Sequence, residues 1–570
     1  MSKIFPKEVF FCKTCLVMST RPRITFDKNG NCSACQWNKE KKKLDWKLRK
    51  KKLSKLCKKF KKKGKVFDCI VAVSGGKDGS YVAHELKKKY GMNPLTVTVR
   101  PAMETELGRN NLGEFVKSDF NNILISPDQE GLRKLNLYGL KEIGFPYYGW
   151  LIAIHSIVLK IACMFKISLI FYSEDGEVEY GGDAKFKNNG IYGTEYIKKN
   201  YLEAGYEKVL KKAKLNHKEA FWFKLPEEKE LNKNNITLTH YSFYENWDPY
   251  RNYLIAKKYC GLTENKTLNE GSYTNFAQND QKLYALHVYL MYLKFGFGRC
   301  NQDSSIDIRR GSMSRDQAIE LVKLYDGIAP EELYSEYCSY YKISKKTFLD
   351  YVNKWVNKDL FKKNSNGKWE KKFVGIIDYG FGNIASVKNA LNYLKIKNSI
   401  ISKPNKQNNF SHLILPGDGF FPKAAEIIKK NKWNSYLKDF ISSDKKILGI
   451  CVGMQLLMSF STEGEGAKGL NFVNGTIKKF SKKKNFSLPH MGFNLVKFQD
   501  NKYKDLDGYY YFIHSFKLDK INDKKTIVGR TRYSDTFISF FQKNNIVGAQ
   551  FHPEKSGQKG LSFIKRFVDA

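Results

Sequence analysis

The sequence predicts an α/β protein with two doubly wound parallel-sheet domains, a small metal-binding segment in front of them and a helical extension between them. Three observations support this fold class. Short apolar runs alternate with helical segments twice, first from FDCIVAV to ISLIFY and again from FVGIID to KKILGI. Two CxxC pairs precede the first alternation. The length of 570 residues exceeds what one hydrophobic core supports.

Composition and charge limit the function classes. A hydrophobic content of 42% with 14% aromatic residues predicts a folded chain. The net charge of +42 would attract phosphate-bearing partners, but scattered lysines and asparagines are also typical of AT-biased coding. Lys160 and Lys166 interrupt the longest apolar stretch, 148–172, so we expect a buried helix and strand there and no membrane partner. Mostly isolated cysteines and the lack of a signal-peptide pattern predict a cytoplasmic protein.

The first 36 residues carry the metal-binding candidate. Two CxxC pairs separated by sixteen residues suit four thiolates around one Zn²⁺, and with no open coordination position such a site is structural. The next segment, 37–65, is rich in lysine with an apolar stripe, which predicts an amphipathic basic helix. The four predicted ligands are Cys12, Cys15, Cys32 and Cys35.

A phosphate-binding loop is predicted in the first α/β domain, residues 66–230. VSGGKDGS follows an apolar run and opens a helical segment, so backbone N–H groups and the helix dipole would meet a phosphate. The loop lacks the spacing of a Walker A motif. The predicted nucleotide-binding residues are Ser74, Gly75, Gly76, Lys77, Asp78, Gly79 and Ser80.

This loop resembles the SGGxDS loop of the ATP-pyrophosphatases. The resemblance implies cleavage of ATP between its α and β phosphates and activation of an oxygen as its adenylate. Gly79 replaces the family's serine, and Ser80 follows one position later. After this domain we predict a helical substrate-side extension over 231–357 and a linker over 358–372.

The second α/β domain, 373–570, carries a nucleophile elbow. Cys451 lies in GICVG between a strand pattern and a helix pattern, where a thiol is exposed near a helix N-terminus. His552 and Glu554 are two residues apart in QFHPE, which we interpret as a strand that sends both to one face. The three residue types form a nucleophile, a base and a group that orients the base.

These motifs, with LPGDGFF and YFIHSF, resemble the class I glutamine amidotransferases, most closely the glutaminase subunit of imidazole glycerol phosphate synthase. The resemblance implies that Cys451 attacks the glutamine carboxamide, that His552 moves the proton and that Glu554 orients His552. It also implies an oxyanion site and a glutamine pocket. The oxyanion residues are Gly417, Asp418, Gly419 and Val452, and the pocket residues are Gln455, His514 and Ser515.

The N-terminal part resembles the N-acetyl sugar amidotransferases through its CxxC pairs, SGGKDG, TELGRNN, EYGG, KFGFGR and DIR. That family converts an acetamido group of a bacterial surface sugar to an acetamidino group. The resemblance implies ATP, Mg²⁺, L-glutamine and an acetamido sugar or nucleotide-sugar as ligands. Candidate phosphate or substrate contacts are Glu174, Lys294, Arg299, Asp307 and Arg309.

The charge and the cysteine segment leave an alternative, a tRNA-modifying ATP-pyrophosphatase or an RNA-binding protein. A complete glutaminase argues against it, because thiolating pyrophosphatases take sulfur from other donors. The sequence does not identify the sugar or the oligomeric state. It also leaves open whether a barrel subunit like the synthase cyclase is needed as a partner.

Overall fold

A computed structural model of the chain describes residues 9–61, 66–173, 187–202, 205–363, 367–394, 396–404, 410–443, 445–481, 486–523 and 525–569. The chain divides into two compact units, Phe10–Asn357 and Lys358–Ala570. Within the described ranges, none of the helices combines the length and hydropathy that crossing a bilayer requires. The long apolar stretch forms a buried helix and a buried strand, as predicted.

The first unit is built on a six-stranded sheet in the order β3-β2-β1-β4-β6-β5. All neighbouring strands are parallel except the edge strand β5. The strand order reverses between β1 and β4, where open α/β sheets bind ligands beyond the carboxyl ends of their strands. The strands are β1 Cys69–Ala72, β2 Pro94–Val99, β3 Asn121–Ile125, β4 Leu169–Tyr172, β5 Ile191–Tyr192 and β6 Thr237–His240.

Helices cover this sheet and continue beyond it. Because β6 pairs with β4, the sheet extends past the predicted domain boundary at residue 230, and the predicted helical extension contributes one of its strands. The described helices are α1 Ser33–Lys41, α2 Trp46–Phe60, α3 Lys77–Tyr90, α4 Glu106–Lys117, α5 Gln129–Tyr138, α6 Tyr148–Met164, α7 Thr194–Tyr196, α8 Tyr206–Lys212, α9 His217–Ala220, α10 Glu228–Lys233, α11 Pro249–Cys260, α12 Leu283–Phe295, α13 Arg299–Arg310, α14 Arg315–Tyr325, α15 Tyr334–Tyr341 and α16 Lys345–Lys354.

The predicted basic helix over 37–65 is two helices. The first, α1, begins at Ser33 inside the second CxxC pair, so the cysteine segment and the helix share residues. The second, α2, is capped by Asp45, whose side chain accepts a hydrogen bond from the Leu48 backbone N–H. Leu53 and Cys57 of α2 are buried in the core, as the apolar stripe predicts.

The second unit contains a thirteen-stranded mixed sheet. Its parallel part has the order β10-β9-β11-β12-β21, and antiparallel strands continue from β21. This is the flavodoxin-like strand order. The strands are β9 Val374–Ile377, β10 Asn398–Ile401, β11 His412–Leu415, β12 Lys446–Ile450, β13 Met458–Ser461, β14 Ala467–Lys468, β15 Val473–Lys479, β16 His490–Phe498, β17 Gly508–His514, β18 Phe516–Ile521, β19 Ile527–Arg532, β20 Thr536–Lys543 and β21 Ile546–Ala549.

Five described helices accompany this sheet: α17 Ile384–Tyr393, α18 Phe421–Lys430, α19 Trp433–Ser442, α20 Val452–Leu456 and α21 Gly557–Asp569. The predicted linker over 358–372 is not an extended linker. It forms a hairpin of β7 Phe361–Lys363 and β8 Trp369–Lys371, and it packs with the second unit. Lys372 next to β8 forms an ion pair with Asp569, and Lys362 lies 3.3 Å from His412 Nε2. Polar composition concealed this hairpin because its lysines pair with groups of the second unit rather than with solvent alone.

Candidate functional site

The four predicted zinc ligands converge. The thiol groups of Cys12, Cys15, Cys32 and Cys35 lie within 4.8 Å of one another, and all four residues are buried. The Sγ atoms of Cys12 and Cys35 are 3.8 Å apart, and those of Cys15 and Cys32 are 3.6 Å apart. Tetrahedral Zn–S bonds of about 2.3 Å put the sulfurs about 3.8 Å apart, so the donor set fits Zn²⁺. We call residues 10–41 the cysteine module.

The predicted phosphate loop connects β1 to α3 at the strand-order reversal. Gly75 has a φ of +82°, and a Cβ there would lie 2.6 Å from the Leu112 backbone nitrogen, so only glycine fits. The next residue, Gly76, is the N-cap of α3. The N–H groups at the start of this fourteen-residue helix can therefore meet an anion.

A cavity of about 490 Å³ opens beside this loop. Ser74 to Gly79 line it on one side, and Arg299, Asp303 and Asp307 of α13 line it on another. Asp78 is held by Asn252, whose Nδ2 donates to Asp78 Oδ1 at 2.9 Å. Apolar and aromatic side chains, among them tryptophan and tyrosine, complete the wall. A pocket with an anion-binding loop and a partly aromatic wall suits a nucleotide and a second substrate.

Three predicted site residues, Ser80, Lys294 and Arg309, lie away from the cavity lining, and a fourth is not described. Ser80 is buried with its hydroxyl unpartnered and does not line the cavity, so it does not supply the hydroxyl that Gly79 lacks. Lys294 Nζ donates to the Ile143 carbonyl at 2.9 Å and is also absent from the lining. Arg309 lies at the cysteine module, with Nη1 3.7 Å from Cys15 Sγ. Glu174 falls outside the described residues.

Sequence reasoning missed Asp280, which faces the cavity next to the phosphate loop. Its carboxylate interacts with the side chains of Ser74 and Tyr284. Burial raises the pKa of Asp280 to about 6, against these hydrogen bonds, and the charge of Glu104 adds to the rise. No motif marks this aspartate, because a long loop brings it back to β1.

In the second unit, Cys451 occupies a strained turn between β12 and α20. Its φ is +53° and its ψ is −113°, a conformation that L-residues rarely adopt. The turn requires the glycine two residues later, since a Cβ on Gly453 would lie 1.9 Å from the Leu415 carbonyl oxygen. This is the geometry of a nucleophile elbow, in which strain holds the side chain at the top of the sheet.

His552 and Glu554 form a hydrogen-bonded pair. The Nδ1 atom of His552 donates to Glu554 Oε1 at 2.8 Å, while its Nε2 is buried without a hydrogen-bond partner. Burial alone would lower the pKa of His552, but Cys451 and Glu554 raise it to about 10. The interpretation as a strand was wrong, because β21 ends at Ala549 and Pro553 starts a short 3₁₀ turn. The turn still brings the two side chains together.

The predicted oxyanion loop follows β11. A Cβ on Gly417 would lie 2.6 Å from the Gly453 nitrogen and 3.0 Å from Val452 Cβ, so this loop touches the elbow. Asp418 Oδ1 accepts a hydrogen bond from the Gly382 backbone at 3.1 Å, and Gly419 has a φ of +87°. The structure thus places Gly417 against the elbow beside Val452, and Asp418 and Gly419 follow Gly417 in the same loop.

Tyr379, which sequence reasoning did not single out, lies at the same place. Its buried hydroxyl has no hydrogen-bond partner and would be 2.7 Å from a Cβ on Gly417. Burial raises its pKa, and the charges of Cys451 and Asp418 raise it further. The motif DYGFGN directly after β9 was the available signal, since the ends of parallel strands share one edge of a sheet.

The predicted glutamine-pocket residues already have hydrogen-bond partners within the protein. Gln455 donates to Gln550 Oε1 at 3.0 Å, and Gln550 Nε2 lies 3.7 Å from Cys451 Sγ. His514 donates from Nδ1 to the Phe516 carbonyl at 2.7 Å. The remaining residue, Ser515, offers its carbonyl to the Phe480 N–H at 3.2 Å and is half-buried.

A second histidine, which the sequence reasoning left without a role, contacts His514. His490 Nδ1 lies 3.0 Å from His514 Nε2, and Asn494 Nδ2 lies 3.3 Å from His490 Nε2. Burial lowers the pKa of His514 to about 3 and that of His490 to about 4. The two rings are therefore neutral at pH 7, and their hydrogen bonds fix one tautomer of each.

Comparison with known proteins agrees with this geometry. A family model described as "Glutamine amidotransferase class-I" matches residues 375–570. Subunit HisH of imidazole glycerol phosphate synthase from Listeria monocytogenes is 38% identical over 197 residues, which cover 34% of this chain and 94% of that protein. This chain belongs to the class I glutamine amidotransferases. HisH 2 from Methanococcus maripaludis is also 38% identical, over 200 residues and 98% of its length.

The class I match is confined to the second unit. The chloroplastic synthase hisHF of Arabidopsis thaliana is 35% identical over 199 residues, only 34% of that protein's length. A separate family model, "LPS biosynthesis protein WbpG-like, C-terminal domain", matches residues 270–374. This amidotransferase therefore joins its glutaminase family to a second family that covers the α12–α16 helices and the β7–β8 hairpin.

Proposed function

We propose that this protein is a glutamine- and ATP-dependent amidotransferase that converts an acetamido group of a bacterial sugar or nucleotide-sugar to an acetamidino group. The observation that carries the proposal is the presence, in one chain, of a Cys451 elbow and a separate cavity lined by a phosphate loop. The WbpG-like match over 270–374 supports a role in lipopolysaccharide synthesis.

In the glutaminase reaction, the Cys451 thiolate attacks the carboxamide carbon of glutamine and forms a tetrahedral oxyanion. N–H groups of Gly417 to Gly419 and of Val452 stabilise that charge. His552 Nε2 gives a proton to the departing nitrogen, and ammonia leaves. Water, deprotonated by His552, then hydrolyses the thioester to glutamate and free Cys451. Glu554 holds the imidazole with Nε2 directed away from itself.

In the synthetase reaction, the acetamide oxygen attacks the α-phosphorus of ATP, and pyrophosphate leaves into the loop of Ser74 to Gly79. The product is an O-adenylyl imidate. Ammonia adds to the imidate carbon, AMP departs, and the amidine remains with one proton released. Asp78 and Asp280 at the loop offer carboxylate oxygens that would suit Mg²⁺, and a bound Mg²⁺ would neutralise the triphosphate charge.

The test supplies the protein with ATP, Mg²⁺, glutamine labelled with ¹⁵N at its amide, and a panel of acetamido nucleotide-sugars. We expect AMP, pyrophosphate and glutamate in equal amounts. With unlabelled glutamine the product is lighter than the substrate by the exchange of oxygen for NH, and with ¹⁵N-labelled glutamine its mass rises again by the extra neutron. Mass spectrometry detects this product directly. Formation by the chain alone also shows that no barrel subunit is required.

The matched control is Cys451→Ala. It should lose product formation from glutamine but keep it from added ammonium chloride, because only the ammonia source is removed. The tRNA-modifying alternative, motivated by the +42 charge, predicts pyrophosphate release on tRNA and saturable tRNA binding at physiological salt. That result without any amidine product would overturn the proposal.

A further inference from the structure

Helix α13 has two faces with different surroundings. Arg299, Asp303 and Asp307 follow one another at four-residue spacing, so they lie on one face, and all three line the cavity. Asp303 accepts from Arg299 Nε at 2.8 Å, and Tyr273 donates to Asp307 at 2.6 Å. This cavity face is therefore an ordered array of charged groups whose positions depend on how the helix is rotated.

The other face of α13 lies on the cysteine module. Asn301 Nδ2 donates to the Leu16 carbonyl at 2.9 Å, and the Leu16 N–H donates to Ser305 Oγ at 3.2 Å. Leu16 follows Cys15 directly, so both hydrogen bonds depend on the backbone of the first CxxC pair. Asn301 and Ser305 are almost fully buried, which makes these bonds costly to break.

The C-terminal end of the helix is tied to the same module by a third set of contacts. Arg309 Nη1 lies 3.7 Å from Cys15 Sγ, and the Arg309 carbonyl accepts from Asn38 Nδ2 at 2.9 Å. Ile308 packs against the four cysteines. A guanidinium beside a thiolate stabilises the negative charge that metal binding leaves on the sulfurs.

The N-terminal end of α13 has an anchor that does not involve the module. Asp326 accepts hydrogen bonds from the Gly298 N–H at 2.8 Å and from the Asn301 N–H at 3.3 Å. This cap favours helix formation at the N-terminal end. At the C-terminal end Arg310 forms an ion pair with Asp248, which also lies outside the module. The module's contacts, by contrast, are made along the face of the helix opposite the cavity.

We propose that the cysteine module, through Leu16 and Arg309, positions the cavity face of α13, so that metal binding at the four cysteines orders Arg299, Asp303 and Asp307. Arg309 is a positioning residue in this arrangement. This ordering of the cavity wall does not depend on which second substrate the cavity accepts.

The test measures hydrogen exchange in the full chain with its metal and after removal of the metal by a chelator. We expect amide exchange over residues 299–310 to become roughly ten-fold faster or more without metal, because the helix loses its contacts along one face. Exchange over 452–456 and 557–569 should not change. Acceleration confined to residues 10–41 would overturn the proposal.

A variant separates positioning from simple unfolding of the module. Arg309→Met should keep one metal per chain, measured by atomic emission, yet speed up exchange over 299–310, while Arg309→Lys should restore most of the protection. The matched control Lys28→Met removes a charge from an exposed position of the same module. Equal exchange over 299–310 in Arg309→Met and Lys28→Met would contradict the role of Arg309.

Activity gives an independent check. Arg309→Met should raise the KM of ATP-dependent pyrophosphate release several-fold, whereas Cys451-dependent glutamine hydrolysis should stay normal. If the proposed reaction is wrong, pyrophosphate release cannot be measured, but the change in hydrogen exchange over residues 299–310 can. Failure of the proposed reaction can therefore be distinguished from failure of the proposed role of the cysteine module.

Discussion

Nδ1 of His552 donates a hydrogen bond to Oε1 of Glu554 at 2.8 Å across a single 3₁₀ turn that begins at Pro553. The bond leaves Nε2 as the only imidazole nitrogen available for chemistry. Burial lowers the pKa of His552, but Cys451 and the Glu554 carboxylate together raise it to about 10. The pair therefore sets the direction of the catalytic base and, with Cys451, its protonation state.

Glu554→Gln should lower the pKa of His552 from about 10. A pKa raised above 6.5 gives stability that is complete below pH 6.5 and is lost as the pH rises through 10. The variant should therefore be less stable than the parent mainly below pH 10. Its glutaminase kcat should fall by about two to four orders of magnitude. NMR titration of the imidazole gives the pKa, and glutamate release gives kcat. An unchanged pKa would contradict the role of Glu554.

Gly75→Ala should destabilise the first unit by about 2–4 kcal/mol, because the residue has a φ of +82° and its new Cβ would meet the Leu112 backbone. ATP binding should weaken with it. Gly76→Ala is the matched control, since that residue has a φ of −78° and a Cβ there would meet only the Ser74 hydroxyl at 3.4 Å. For both variants, denaturant unfolding measures the stability and calorimetric titration measures the affinity for ATP. Equal effects of the two substitutions would argue against the loop geometry.

Asp280→Asn should reduce the change in stability that the first unit shows between acidic and neutral pH. A carboxyl whose pKa is raised from 3.8 to about 6 binds more protons when folded, so its contribution to stability falls as the pH rises through this range. The variant should therefore be more stable than the parent near pH 7 and no more stable near pH 4. Melting temperatures between about pH 4 and 7 test this. Asp316→Asn, at an exposed position of α14, should leave the profile unchanged.

Tyr379→Phe should leave the second unit as stable as the parent, or up to about 2 kcal/mol more stable, because it removes a buried hydroxyl that has no partner. If the hydroxyl serves the oxyanion loop, glutaminase kcat should fall about ten-fold in the same variant. Gln550→Met is the comparison, since it breaks the bond to Gln455 and should destabilise the unit. Lower stability in Tyr379→Phe would show that the hydroxyl has a partner in solution.

The parts of the site that were predictable from sequence are those made by consecutive residues. The phosphate loop and the Cys451 elbow each depend on one strand, one turn and one helix, so their glycines and the flanking strand and helix patterns indicated them. Arg309 was misassigned because KFGFGR and DIR give residue types but no helix rotation, and α13 turns that side chain away from the cavity. Asp280 and Tyr379 were missed because their importance arises from neighbours distant in sequence.

The β7–β8 hairpin decides where this chain can be divided. Residues up to 374 belong to the WbpG-like family match, yet those from Lys358 onward pack with the glutaminase. A cut before Phe373 would remove the ion-pair partner of Asp569, which is Lys372, and the neighbour of His412, which is Lys362. To separate the two activities, the chain should therefore be cut after Asn357, so that the hairpin stays in the same fragment as the second unit.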